Sequence, residues 1–254
     1  MALNINFCCM KTEFLIKKGT SHPVFCEDFF VIEESEHWLM TAVFDGCSSG
    51  TDSHFASTLL AKLARKAFRY HAKNNNSADS LAKNIIQSLV YDLLKVMNDL
   101  IISKMELLST IIIAIVDKDT NRAFVFVQGD GVIVCDGKTE IFDHDDKPDY
   151  LIYDIEKIAT SDVFFLWWEM HTQKRDFDHF HDLSISTDGI LTFEKYSYEN
   201  SEPLDSPLAF LLIDYSPAKD ATLPRKYFKL IKKHKFQHYD DIAMIRITNY
   251  DKKN

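Results

Sequence analysis

Carboxylates stand at the ends of apolar runs along this chain, and any chemistry it performs has to be sought there first. Glu27-Asp28 opens "FFVI", Asp45 closes "LMTAVF", Asp130 follows "AFVFVQG", Asp188 follows "LSIST", and Asp240-Asp241 opens "IAMIRI". Six of the seven glycines, Gly46, Gly50, Gly129, Gly131, Gly137 and Gly189, belong to these turns and the hairpins between them. Strand ends on one edge of layered sheets can bring distant carboxylates together, and such a cluster repels itself unless cations fill it. All-oxygen donors select hard ions, magnesium, manganese or calcium, over zinc. Taken singly, Asp45-Gly46 or Asp188-Gly189 reads as a plain turn, and Asp240-Asp241 as a solvated strand start. The ordered set is what points to a metal site. Glu27 and Asp28 are equal candidates within it, because neighbouring strand residues face opposite sides.

Other reactive residue types carry weaker signals. His171, His179, His181, His234 and His238 show no recurrent ligand spacing. The "HFH" at 179–181 could touch a soft metal, but surface or strand placement is the plainer reading. Cys8-Cys9 and Cys47 have no base expected beside them and read as bland thiols. Trp167-Trp168 could offer a substrate platform, with core or sheet-edge packing the simpler alternative. The run "KLIKKHK" is a basic helix face, ordinarily solvated and open to a phosphorylated partner.

The acidic turns need elements to hold them. "TEFLIKK", "DFFVIEE" and "HWLMTAVFDG" read as strands. Two helices follow. The first carries Ala56, Leu59, Leu60, Leu63, Ala64, Ala67 and Phe68 on one face, and the second Leu81, Ile85, Leu89, Leu93, Met97, Leu100 and Ile101. Ser77 is the expected N-cap of the second. Strands return at Leu107–Asp117, Arg122–Gln128, Val132–Cys135 and Lys138–Phe142, with Asp136-Gly137 forming a tight hairpin turn. "VFFLWW" is expected as a strand, "HDLSISTDG" as a strand ending at Asp188-Gly189, Pro224–His234 as a helix, and "DIAMIRIT" as a closing strand. Leu191–Ser216 is ambiguous. Strands, a helix pair and more strands fit an α+β layered architecture better than alternating βαβ units.

Composition narrows the function classes. With 46% apolar and 26% charged residues and 19 Phe, the 254 residues supply a large core. No repeat, linker or low-complexity stretch divides them, so one domain over 1–254 is expected, with a core at about 12–248. The net charge is −9 and the basic residues are scattered, which argues against a nucleic-acid partner. The five cysteines are odd in number and include no C-x-x-C pair, a usage expected of a reduced, cytoplasmic protein. The longest apolar run, Leu107–Val116, is too short to cross a bilayer, so no membrane span is expected. The N-terminal residues carry no export signal. Nothing in the sequence sets an oligomeric state.

The order and spacing of the acidic turns resemble the metal-dependent protein serine/threonine phosphatases of type 2C, the PPM family. The matching residues are the "ED" Glu27-Asp28, the "DG" Asp45-Gly46, and Ser109-Thr110 before an apolar strand. After them come Gly129-Asp130, the "DHKP"-like loop Asp143–Pro148, Thr187-Asp188-Gly189, and Asp240-Asp241 before the last strand. The resemblance spans roughly residues 12 to 248. It implies a four-layer α-β-β-α sandwich, two antiparallel sheets between helix pairs, with a two-metal site at one edge. It further implies that Asp45 bridges two magnesium or manganese ions and that the Gly46 carbonyl ligates one of them. Asp188 and Asp240 would complete the other shell, Glu27 or Asp28 would reach the site, and Asp130 would meet a third, weaker ion. The implied activity is hydrolysis of phosphoserine or phosphothreonine in a phosphorylated protein substrate by a metal-activated water.

Two departures bear on this. Where many members carry a phosphate-binding arginine, this chain has Pro23, which leaves His22, Lys17 or Lys18 to contact the phosphate. Where eukaryotic members carry a histidine after "DG", it has Cys47, as divergent bacterial relatives lack that histidine too. The rival expectation is a catalytically weak or inactive relative that uses the same fold as a regulatory binding module. A calcium-stabilised structural domain has less support, since no calcium-loop pattern is present.

Overall fold

In the computed structural model, residues 9–50, 52–144, 148–214 and 222–250 are described. Residues 145–147 of the "DHDDKP" loop, and Cys8 in the N-terminal run, lie outside them. One antiparallel sheet is built from β1 (Cys9–Lys17), β6 (Gly131–Cys135), β7 (Lys138–Phe142), β9 (Asp182–Ser186) and β12 (Ile242–Tyr250), in the order β1-β12-β9-β6-β7. A second contains β2 (Phe29–Glu34), β3 (Trp38–Phe44), β4 (Ile111–Asp117), β5 (Arg122–Gln128) and β8 (Lys174–Phe177), in the order β2-β3-β4-β5-β8. A short ribbon pairs β10 (Phe193–Lys195) with β11 (Phe236–His238).

Side-chain alternation explains the layering. Along β4, Ile111, Ile113 and Ile115 face a helical layer, whereas Ile112, Ala114 and Val116 face the other sheet. A strand covered on both sides has no need of polar positions, which is why this run is continuously apolar. From β12, Ala243, Ile245 and Ile247 meet β3 and β2 between the sheets, while Ile242 and Met244 face outward. Three apolar clusters result, one for each interface of a four-layer α-β-β-α sandwich.

The helices cover the outer faces. On the second sheet lie α1 (Ser53–His71), α2 (Ala78–Leu100), α3 (Leu151–Ile158) and α4 (Ser161–Met170). On the first lie α5 (Pro207–Leu212) and α6 (Leu223–Lys232). Among the described residues the coverage is four helices on the second sheet and two on the first. Helix α1 buries Ala56, Leu60, Ala64, Ala67 and Phe68, most of its expected stripe. Helix α2 begins as expected, with the Ser77 side chain accepting Ser80 N–H at 3.2 Å. Its expected stripe overruns at the end: Leu100 is exposed, and Ile101 caps the helix in the left-handed region, 92% exposed.

One assignment is corrected. "VFFLWW" is helical, forming most of α4, and not a strand. Only Phe164 and Trp168 of this segment are buried, four residues apart, and Trp168 stacks on Phe126 with centroids 5.3 Å apart. The all-apolar run hid the period, because its exposed positions Val163, Phe165 and Leu166 are apolar too. Packing against β5 decides the matter.

Helix and strand make different demands on this segment, since a strand would place residues 164, 166 and 168 on one face. In urea unfolding, Trp168→Ala should cost about 3–5 kcal/mol, whereas Leu166→Ala should stay within about 0.5 kcal/mol. Equal losses would restore the strand.

Candidate functional site

Register brings the carboxylates together. In the second sheet Phe29 pairs with Phe44, so one step further along the ladder Asp28 comes beside Asp45. In the first, Ser186 pairs with Met244, which carries Thr187-Asp188 past the start of β12, where Asp240-Asp241 stand. Thr187 ties the two sheets across this edge. Its hydroxyl donates to Asp28 Oδ2 at 2.6 Å, and its N–H donates to the Ala243 carbonyl at 3.0 Å.

The Asp45-Gly46 turn is held from two directions. Thr110 N–H donates to the Asp45 carbonyl at 2.8 Å, and Asp45 N–H donates to the Thr110 hydroxyl at 3.3 Å. Gly46 N–H donates to the Glu27 carbonyl at 3.2 Å. A β-carbon on Gly46 would run into the Ser53 carbonyl and sit 2.8 Å from that of Glu27. One on Gly189 would strike the Asp241 carbonyl. Both "DG" glycines are thus required by close backbone approach.

The electrostatics are strained. Asp28 and Asp45 lie within hydrogen-bonding reach of each other, and burial, followed for Asp45 by the charges of Asp28, Asp188 and Asp240, raises both well above the ordinary carboxyl range. Asp188 is pushed up to about 6, first by burial and then by the charges of Asp240 and Asp130. Burial also raises Asp240. Asp28 Oδ1 is buried and no N–H or hydroxyl group donates to it.

Asp241 plays a different part from its neighbour. Its buried carboxylate accepts Gly19 N–H at 2.6 Å and Glu27 N–H at 2.5 Å, and it lies 2.8 Å from His22 Nδ1. His22 Nε2 in turn lies 3.7 Å from both Glu27 Oε2 and Asp240 Oδ1, and 3.0 Å from Ser48 Oγ. Burial pulls the His22 pKa down, but the Asp241 contact and the Glu27 and Asp240 charges outweigh it, and the net shift is upward. The Glu27 carboxylate accepts from Ser48 at 2.8 Å.

Asp130 is buried at the β5–β6 turn, paired with His144. Gln173 Nε2 donates to His144 Nε2 at 3.0 Å, which leaves His144 Nδ1–H to donate to Asp130. Lys17 is turned away toward α6, its Nζ 5.7 Å from the Tyr227 ring centroid. Lys18 Nζ donates to the Pro23 carbonyl at 2.9 Å. Asp28, Asp45, Asp188, Asp240, Glu27 and His22 are therefore neighbours, Asp130 adjoins them through Asp188, and Lys17 stands apart. Thr110, Thr187 and Asp241 belong to the motifs of the resemblance, but their bracing role has no signal of its own in the sequence. Trp168 is core, and His171 donates to the Val127 carbonyl at 2.6 Å.

The donor set fits a hard divalent cation: the donors are all oxygens, they repel one another, and one is orphaned. Among the described residues, no three His, Cys, Asp or Glu side chains form a ready-made cage. The cations of the implied site would therefore have to draw these carboxylates in.

Solved structures share this architecture at low identity. RsbX in complex with magnesium is 12% identical, covering 95% of this chain and 96% of its own, with a TM-score of 0.54. The serine/threonine phosphatase Stp1 from Staphylococcus aureus is 13% identical over 95% of this chain and 96% of its own, with a TM-score of 0.60. A structure of the PP2C phosphatase domain and a fragment of the regulatory domain of SpoIIE from Bacillus subtilis is 13% identical, covering 94% of this chain and 63% of that one, with a TM-score of 0.56. These likenesses show the fold class, the four-layer α-β-β-α sandwich. No curated protein matches by sequence. The family model for protein phosphatase 2C matches residues 18–223, and the chain belongs to that family.

The raised carboxyls set a pH dependence for the protein held in chelator. A carboxyl raised on folding binds its proton more readily in the folded state, so its stabilising share is present at low pH and lost as pH rises through the folded value. Asp45→Asn removes one of the repelling charges. It should raise the melting temperature near neutral pH by about 2–4 °C, for a gain of about 1 kcal/mol. The gain should shrink towards the ordinary carboxyl value of 3.8. Calorimetry at several pH values in chelator checks this, and a difference independent of pH would contradict the repulsion.

Proposed function

We propose that the chain is a magnesium- or manganese-dependent protein phosphatase that removes phosphate from serine or threonine in proteins, acting as one domain in the cytoplasm. The observation that carries this reading is the cluster of buried Asp28 with half-buried Asp45 and Asp188, its carboxyl pKa values raised and one oxygen without a donor. Membership in the protein phosphatase 2C family and the likeness to a magnesium-bound relative support it.

In this reading Asp45, the Gly46 carbonyl, Asp188 and Asp240 hold two cations. Asp28 supplies the inner carboxylate at the start of β2, while Glu27, engaged with Ser48 and near His22, lies further out. Asp130, oriented by His144, serves a third position. Bound cations supply Lewis acidity towards the phosphate oxygens and an acidified water. The chain's own residues do the rest. Asp241 holds His22 at the mouth, where its raised pKa favours a positive charge facing the substrate phosphate. Free thiols at Cys26, Cys47 and Cys135 agree with a reducing compartment. Among the described residues no helix is long and apolar enough to cross a membrane.

One observation favours a second reading, a weak or inactive relative that serves as a binding module. Pro23 stands where an arginine fork would meet the phosphate, and Lys18 beside it is engaged with the Pro23 carbonyl. Hydrolysis of p-nitrophenyl phosphate separates the two. Activity should require manganese or magnesium and fall by roughly 100-fold or more in Asp45→Ala and in Asp188→Ala. Equal, low turnover in all three proteins would favour the module.

A further inference from the structure

The loop from Gly19 to Glu27 is closed at both ends by one carboxylate, since Asp241 accepts both Gly19 N–H and Glu27 N–H. It is tied down again along its length. Ser21 donates to the Tyr239 carbonyl through its N–H at 2.9 Å and its hydroxyl at 2.6 Å, and Thr20 N–H donates to the His238 carbonyl at 3.2 Å. Pro23 adds its own restriction of φ.

What this stapled loop displays is apolar. Val24 is 68% exposed and Phe25 56% exposed. The Phe25 ring stacks on His54 with centroids 4.2 Å apart. His54 adjoins Ser53, whose carbonyl abuts Gly46, and Phe25 is two residues from Glu27, whose carbonyl accepts Gly46 N–H. The pair therefore stands on the rim of the carboxylate cluster. Isolated exposed apolar residues are ordinary on any surface. A phenylalanine and a valine on a rigid loop beside a buried acidic site are different, because a pre-ordered aromatic binds without further ordering cost.

Charge narrows the occupant. Glu27 and Asp240 line the same rim, and Lys18 is engaged with Pro23, so acidic neighbours of a phosphate are repelled here and uncharged apolar ones are not. We propose that Val24 and Phe25 hold an apolar side chain adjacent to the phosphorylated residue of a protein substrate, giving a preference for phosphosites flanked by leucine-like residues. This rests on the phosphatase reading above.

A cross of enzyme and substrate variants tests it. Two short phosphothreonine peptides, identical except for Leu or Ser on both sides of the phosphothreonine, are compared with p-nitrophenyl phosphate in manganese. The wild-type protein should prefer the Leu peptide by about tenfold in kcat/KM. In Phe25→Ala, and independently in Val24→Ser, that preference should shrink towards unity, so that the two changes are coupled rather than additive. Equal use of both peptides by the wild type, or a preference that survives both substitutions, overturns the rim contact and leaves the phosphatase reading standing. No metal-dependent turnover of any of the three substrates overturns both.

Discussion

Burying carboxylates beside one another is the constraint on which the rest of this molecule turns. Asp28 is buried at a sheet edge with Asp45 and Asp188 half-buried near it, and the charges of Asp28, Asp188 and Asp240 disfavour ionisation of Asp45. An unsatisfied buried polar atom such as Asp28 Oδ1 costs about 1–3 kcal/mol. The sandwich meets that cost with its packing. Two sheets and two helical layers hold the strand ends that carry the carboxylates at one edge.

The positioning is done by groups that hold no obvious chemistry of their own. Thr187 bridges the sheets, donating to Asp28 while it pairs with Ala243. Thr110 grips Asp45 from just before β4. Asp241 takes the Gly19 and Glu27 amides and the His22 ring together, so a single buried carboxylate sets the loop, the histidine and the start of β2. Its neighbour Asp240 is left partly exposed and turned to the rim. Two adjacent aspartates thereby acquire opposite duties, one bracing and one facing outward.

Much of this was legible in the residues. The strands at Arg122–Gln128 and Lys138–Phe142 were readable from their apolar patterns, and Ser77 from its capping chemistry. The acidic turns were readable because an aspartate followed by glycine at a strand end has few other uses. "VFFLWW" was not readable, since a run without polar positions has no visible period. The overrun at Ile101 has a related cause: an apolar residue extends a stripe on paper, whereas the helix ends one residue earlier in a left-handed cap. Lys17 sits near His22 in sequence, yet the end of β1 sends it over Tyr227.

By itself the sequence determined the family, the layered α+β architecture and the set of acidic turns, because these depend on local pattern and on the order of motifs. Only the tertiary structure decided which carboxylate of each adjacent pair faces its fellows. It placed Asp28 inside and Glu27 outward, and made Asp241 the brace and Asp240 the rim group. The physical reason is register: a one-residue shift along a strand turns every side chain to the opposite face, and register is set by pairing with strands far away in the chain.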